Sequence, residues 1–162
     1  MGQLEASLLW SHLLERTKTA NPTAPEVDLS GRYTDTTAED GGGYPGDKAN
    51  FRFQWMLNDL SISYLAEYIS SLDADTFCNC FDGNTPAMDG TYIQKIDSYL
   101  YHDLVASYTF ESFGSTTQIS GGVTNITDEE PPFIEGGFNA TTDPAIYRMF
   151  GRGWYLRLKW SY

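Results

Sequence analysis

Few residues of this chain are of types that do chemistry, and none falls into a catalytic spacing. Two cysteines stand one residue apart in Cys78-Asn79-Cys80. Metal or redox chemistry there would need a histidine or a third cysteine close by, and the sequence supplies neither. A disulfide suits them better, either between Cys78 and Cys80, which closes a strained ring, or to residues outside this chain on an oxidising surface. The two histidines, His12 and His102, have no serine or cysteine partner in a nucleophile motif. Asp73-Ala74-Asp75 opens like a calcium loop, but Phe77 and Cys78 stand where that loop needs an oxygen ligand and a glycine. In Gly41-Gly42-Gly43-Tyr44-Pro45-Gly46-Asp47-Lys48, Asp47 separates glycine from lysine and no serine or threonine follows, so this is no phosphate loop. The residues predict no enzyme, no cofactor and no metal site.

Composition narrows the classes further. At 162 residues there is room for one domain. With 22 acidic against 10 basic residues the formal net charge is −12, so the basic footprint of a nucleic-acid binder is missing. No run of apolar residues is long enough for a membrane-spanning helix. Mean hydropathy is −0.38, yet there are 11 Tyr, 9 Phe and 4 Trp. Large amphipathic rings in a polar chain suit a β-rich protein or one at an interface.

The charge is concentrated. Residues 17–47, 73–97 and 127–151 hold sixteen of the acids and only Lys18, Arg32, Lys95 and Arg148 as bases, so they carry the whole net −12. Turn formers collect there too, among them Gly41, Gly46, Gly83, Pro86, Pro131, Pro132 and Gly136. These stretches read as long loops rather than packed elements, and loops of that length are uncommon in compact soluble domains.

Between the loops, side chains alternate. From Gly153 to Tyr162 the even positions are Trp154, Leu156, Leu158, Trp160 and Tyr162, while Arg157 and Lys159 stand among the odd ones. That is a strand with one apolar face. Phe51, Phe53, Trp55 and Leu57 oppose Arg52, Gln54 and Met56; Leu104, Ala106, Tyr108 and Phe110 oppose Asp103, Val105, Ser107 and Thr109. Thr117 to Val123 is a weaker case of the same kind. Residues 60–72 and 4–16 fit helical and strand spacing alike; Leu57-Asn58-Asp59-Leu60 has the form of a two-residue hairpin turn and tips the first toward strand.

Six strands, 4–16, 46–57, 60–72, 98–111, 116–125 and 152–162, leave connections that alternate long, short, long, short, long. Antiparallel strands with short turns at one end and long loops at the other predict a segment of a transmembrane β-barrel. Arg52, Gln54, Glu67, Asp103, Gln118, Arg157 and Lys159 would then face its lumen. The same stripes also fit a soluble or surface-attached β-sheet module, for example one that binds carbohydrate on a Tyr and Trp platform.

The run Asn125-Ile126-Thr127-Asp128-Glu129-Glu130-Pro131-Pro132-Phe133, with Thr142-Asp143-Pro144-Ala145-Ile146-Tyr147 and Gly151-Arg152-Gly153-Trp154-Tyr155, resembles the end of a TonB-dependent outer-membrane receptor. Tyr101-His102-Asp103-Leu104 and Tyr64-Leu65-Ala66-Glu67-Tyr68-Ile69 are similar to its late barrel strands. The resemblance implies that residues 1–162 are the C-terminal part of a 22-stranded barrel, about its last six strands, lacking plug, TonB-contacting segment and signal peptide. It places the chain in the bacterial outer membrane, with short turns periplasmic and long loops extracellular. The intact parent would take up a scarce nutrient (a siderophore, cobalamin or a saccharide). The implied partners are outer-membrane lipid, the rest of the barrel and plug, the outer-membrane assembly machinery, and TonB through the missing plug only. Leu156, Leu158, Trp160 and Tyr162 resemble the signal that this machinery reads. Asn125-Ile126-Thr127 and Asn139-Ala140-Thr141 match glycosylation acceptors, which have no role in that setting.

Overall fold

A computed structural model describes residues 2–19, 22–23, 25–34, 41–75, 94–112, 114–134 and 141–162. Among them every regular element is a strand. Six strands form the main sheet: β1 (Gln3–His12), β6 (Asp47–Leu57), β7 (Leu60–Ile69), β10 (Tyr99–Ser112), β11 (Ser115–Thr124) and β12 (Gly153–Ser161). They lie in that spatial order, and every neighbouring pair is antiparallel. Residues 4–16, open between helix and strand from their spacing, are strand as far as His12. The sheet is not closed, because β1 and β12 each have one neighbour.

Both short turns fall where the sequence predicts. Leu57 pairs with Leu60, with Asn58 at φ 51, a left-handed conformation that asparagine tolerates. Ser112 pairs with Ser115 at the second.

The expectation that the long connections hold no packed elements is overturned. The first contains β2 (Thr17–Lys18), β3 (Val27–Asp28), β4 (Arg32–Thr34) and β5 (Gly42–Tyr44); the second contains β8 (Leu72–Asp75) and β9 (Gln94–Ile96). The segment predicted as one strand over 60–72 breaks after Ile69 and resumes as β8. β2 pairs with β3, and the other four make a small sheet in the order β5-β4-β8-β9, in which β4 and β8 run parallel. Charge and turn-forming residues fixed attention on the exposed positions of these stretches. Their apolar residues are scattered too thinly to show periodicity, yet Tyr33, Leu72, Ala74, Ile96, Ile134 and Tyr147 converge into a buried cluster. With Ile69 and Tyr101 from the ends of β7 and β10, they make the core of a cap over one end of the sheet.

Register separates two faces. Paired residues share a face, so the strand pairings place Leu4, Leu8, Phe51, Phe53, Ile62, Tyr64, Leu104, Tyr108, Ile119, Leu156 and Leu158 together. All four tryptophans, Trp10, Trp55, Trp154 and Trp160, are on that face as well. The only charged side chain that the six strands put there is Asp47, at the rim beside the cap. Glu5, Lys48, Arg52, Glu67, Asp103, Glu111, Arg157 and Lys159 all lie on the opposite face.

The cap covers the polar side. At the cap end of β7, Ile69 on the polar face is 1% exposed while its neighbour Tyr68 on the apolar face is 36% exposed. On β10, Tyr101 is 0% and Leu100 44% exposed. Among the described residues, the largest block of apolar side chains is thus the surface that no other element covers.

Candidate functional site

Arg148 ties the cap to the polar face. It lies in the segment between β11 and β12 and reaches Glu67 on β7 and Asp103 on β10. Its Nε donates to Glu67 Oε2 at 3.0 Å, its Nη2 lies 2.8 Å from the same oxygen, and its Nη1 donates to Asp103 Oδ1 at 2.7 Å. The guanidinium also stands 5.1 Å from the centre of the Tyr101 ring, in cation–π range. Burial works against its charge. Hydrogen bonds to Asp103 and Glu67 more than offset that and hold its proton above the ordinary arginine range.

Asn125 fixes the same segment where it leaves β11. It is buried, with φ 51. Its Nδ2 donates to the carbonyls of Glu129 at 2.8 Å and Phe150 at 3.4 Å, and its Oδ1 accepts the Glu129 N–H at 2.9 Å. Its own N–H donates to Asp103 Oδ1 at 2.9 Å, so one carboxylate oxygen serves both Asn125 and Arg148. A short side chain able to donate and accept while tolerating a left-handed backbone is what this corner requires. A third tie closes the exit: Asp128 Oδ1 accepts the Arg152 N–H at 2.6 Å.

These contacts frame an open pocket of about 510 Å³, of the size that small-molecule sites take. Its polar floor includes Glu67, Thr124, Asn125 and Arg148, and Pro144, Ile146, Met149 and Phe150 supply apolar wall. Phe150 is 86% exposed. Beneath it Tyr147 is buried against Tyr99, ring centres 5.0 Å apart, and burial pushes its phenol well above the usual tyrosine range.

Of the residues predicted to share a lumen face, Arg52, Gln54, Glu67, Asp103, Gln118, Arg157 and Lys159 all lie on the polar face. Only Glu67 and Asp103 meet at the Arg148 cluster. Leu156, Leu158 and Trp160 stand exposed on the apolar face of the edge strand β12, with Tyr162 just beyond its end. His12 and His102 are both on the apolar face, where His12 Nδ1 lies 2.8 Å from Asp47 Oδ1 and His102 shares a 2.6 Å hydrogen bond with the Tyr64 hydroxyl. Asp73 and Asp75 belong to β8, and Lys95 bonds Asp73 at 2.9 Å. Cys78, Cys80 and Asn139 lie outside the described residues.

Sequence reading missed Arg148 as a functional residue, along with Asn125, Tyr147 and Phe150. One signal was available, since Arg148 is the sole base among the five acids of 127–151. Its partners 81 and 45 residues away carry no mark of the pairing. No family model, no curated protein and no solved structure matches this chain.

Proposed function

We propose that the six-stranded sheet is a wall segment of an outer-membrane β-barrel transporter of the TonB-dependent receptor type. Its apolar face would meet lipid, its polar face would line the lumen, and the cap would stand at the extracellular mouth. The observation that carries this reading is the inverted covering: among the described residues the connections pack over the charged face and leave the apolar one bare.

Dimensions support it. From Leu100 to Phe110 the apolar positions of β10 extend ~33 Å along the strand, or about 25 Å of depth at a tilt of ~40°, the height of an outer-membrane apolar band. Five inter-strand spacings of ~4.8 Å make the face on the order of 800 Å², above the largest apolar patch of a typical soluble monomer, about 300–600 Å². Aromatic residues mark both margins, Trp10, Tyr68 and Trp154 toward the cap and Trp55, Tyr108 and Trp160 toward the turns, as interfacial girdles do. A soluble carbohydrate-binding sheet would have to bury this face instead.

The open edges bear on what surrounds the segment. β1 and β12 each leave on the order of ten backbone groups unpaired. In lipid each costs several kcal/mol, so together they exceed a whole domain's stability of about 5–15 kcal/mol. Further strands must close both edges, as they would in an intact barrel. The likeness of residues 125–155 to a receptor's end supplies the transporter type, and energised uptake belongs to that parent with its plug.

Lipid contact is tested with bilayers whose acyl chains carry bromine. Strong quenching of tryptophan emission is expected, because every tryptophan is on the apolar face; emission unaffected by brominated lipid defeats the proposal. Reading the coding sequence upstream of Met1 tests the parentage, through a continuous frame for a plug and a signal peptide.

A further inference from the structure

The pocket beside Arg148 has a chemistry that selects among ligands. Its charges are largely compensated from within: Arg148 is held at 2.7–2.8 Å by the carboxylates of Asp103 and Glu67. Among the described lining residues an anion therefore finds no free cation to neutralise, and it must approach a chain of net charge −12. A cation meets the opposite obstacle. The Glu67 carboxylate that would attract it has a guanidinium 2.8 Å away, which cancels most of its field.

A neutral hydroxyl pays neither penalty. Arg148 uses only Oε2 of Glu67 in the bonds that hold it, and the side chain is 33% exposed, so Oε1 is placed to accept from a hydroxyl. Thr124 lines the same space. Phe150 lines the same pocket with its aromatic side chain 86% exposed, on a backbone pinned by Asn125. A ring with hydroxyls on its edge and C–H groups on its face satisfies both walls at once.

We infer that the pocket formed by Glu67, Thr124, Asn125, Arg148, Met149 and Phe150 binds a neutral saccharide, its ring face on Phe150 and its hydroxyls toward Glu67. The inference deepens the transporter reading and rests on it only for placing the pocket at a barrel mouth. Of the uptake substrates that reading allows, the local chemistry favours the uncharged sugar over an anionic metal chelate.

The test uses the full chain in detergent over an immobilised panel of neutral gluco-, manno-, galacto- and xylo-oligosaccharides, with glucosamine oligomers as the cationic arm and uronate oligomers as the anionic arm. Retention on one or more neutral members is expected, at least tenfold stronger than on either charged arm. Phe150→Ala should weaken it about threefold to tenfold, the worth of one aromatic contact, and Phe150→Trp should retain it. The side chain is too exposed for its removal to unfold the cap. No retention on any neutral sugar, equal or better retention on a charged arm, or indifference to Phe150→Ala overturns the inference. Wild-type quenching by brominated lipid is read alongside, since no tryptophan lines the pocket. Quenching without sugar binding removes this inference and leaves the barrel; sugar binding without quenching does the reverse.

Discussion

Replacing Leu156 with arginine separates the ways in which the apolar face could meet its surroundings. Leu156 is 80% exposed on β12, and with Leu158 it stands midway between Trp154 and Trp160 at the two margins. If the sheet crosses a bilayer, a guanidinium there lies near the midplane and costs about 2–4 kcal/mol, which is about 30- to 900-fold in membrane occupancy. If the sheet merely lies against the headgroups, the cost falls to about 0–1 kcal/mol. If the face is bathed in water, an exposed leucine replaced by arginine changes stability by about 0.5 kcal/mol or less. The assay is partition from urea into short-chain phosphatidylcholine vesicles, quantified by flotation. β1 runs toward the cap and β12 away from it, so copies of the chain can pair edge to edge antiparallel and satisfy their backbones in the bilayer. Arg157→Leu, one residue along on the polar face, is the control and should leave partition within about threefold of wild type, the equivalent of ~0.5 kcal/mol. A Leu156→Arg chain that floats as well as the control refutes the spanning arrangement.

Three further outcomes follow from the cap and from β12. Arg148→Met leaves the partly exposed Glu67 and Asp103 carboxylates facing each other without a cation, a loss of about 1–3 kcal/mol once solvent screening is allowed for. Amide exchange at Asn125 and Tyr147 should accelerate while the β10–β11 hairpin keeps its protection, and uniform acceleration would count against a local tie. Burial raises the Tyr147 phenol in the folded state, so its contribution is whole below the unfolded value of about 10 and is lost as pH rises beyond it, at about 1.4 kcal/mol per pH unit. Alkaline titration followed by near-ultraviolet tyrosinate absorbance should show the cap opening in that window, and Tyr147→Phe should move the opening to higher pH. The Tyr147 hydroxyl has no hydrogen-bond partner among the described residues, so phenylalanine leaves no group stranded. Gly122→Val puts a Cβ 2.5 Å from the Tyr155 ring, which lies across this glycine. Overpacking should cost about 1–3 kcal/mol in the urea midpoint, largely relieved by Tyr155→Ala in the double variant.

How much of this was legible in the sequence depends on the kind of contact. The six strands, their turns and their faces are written in period-two alternation. A side chain on Trp154-Leu156-Leu158-Trp160 differs so sharply from Arg157 and Lys159 that neighbouring residues suffice to assign it. Residues 4–16 resisted because Leu, Ala and Glu favour helix intrinsically, and pairing of β1 with β6 overrode that preference. The cap was illegible for a different reason. Tyr33, Leu72, Ile96 and Tyr147 come from three separate connections, and no local pattern announces that they converge. A stretch dense in Asp, Gly and Pro reads as solvent-exposed throughout, even when every tenth residue is anchoring it. Arg148 shows the limit most clearly. Its type was visible as an exception in an acidic stretch, but its role rests on two strands whose order had first to be established.

The cap and the sheet make one argument rather than two. A sheet whose apolar face is left to the surroundings must gain its internal core elsewhere, and this chain finds it at one end, where Ile69 and Tyr101 turn from sheet residues into cap residues. Two residues farther into the sheet from each of these, at the next position on the polar face, stand Glu67 and Asp103, which hold Arg148. Apolar packing and ionic anchoring therefore act on successive polar-face positions of the same two strands. Movement of the segment 125–152 must break the arginine's bonds before it can expose the tyrosines beneath. A pocket built on that segment senses the same joint, because Arg148 and Phe150 are two residues apart and Asn125 binds the carbonyl of the latter. Anything seated against Phe150 and Glu67 adds to the tie between cap and β7. Ligand should then slow exchange of the Tyr147 amide in wild type and lose most of that effect in Arg148→Met. Equal slowing in both would mean that pocket and tie are energetically separate.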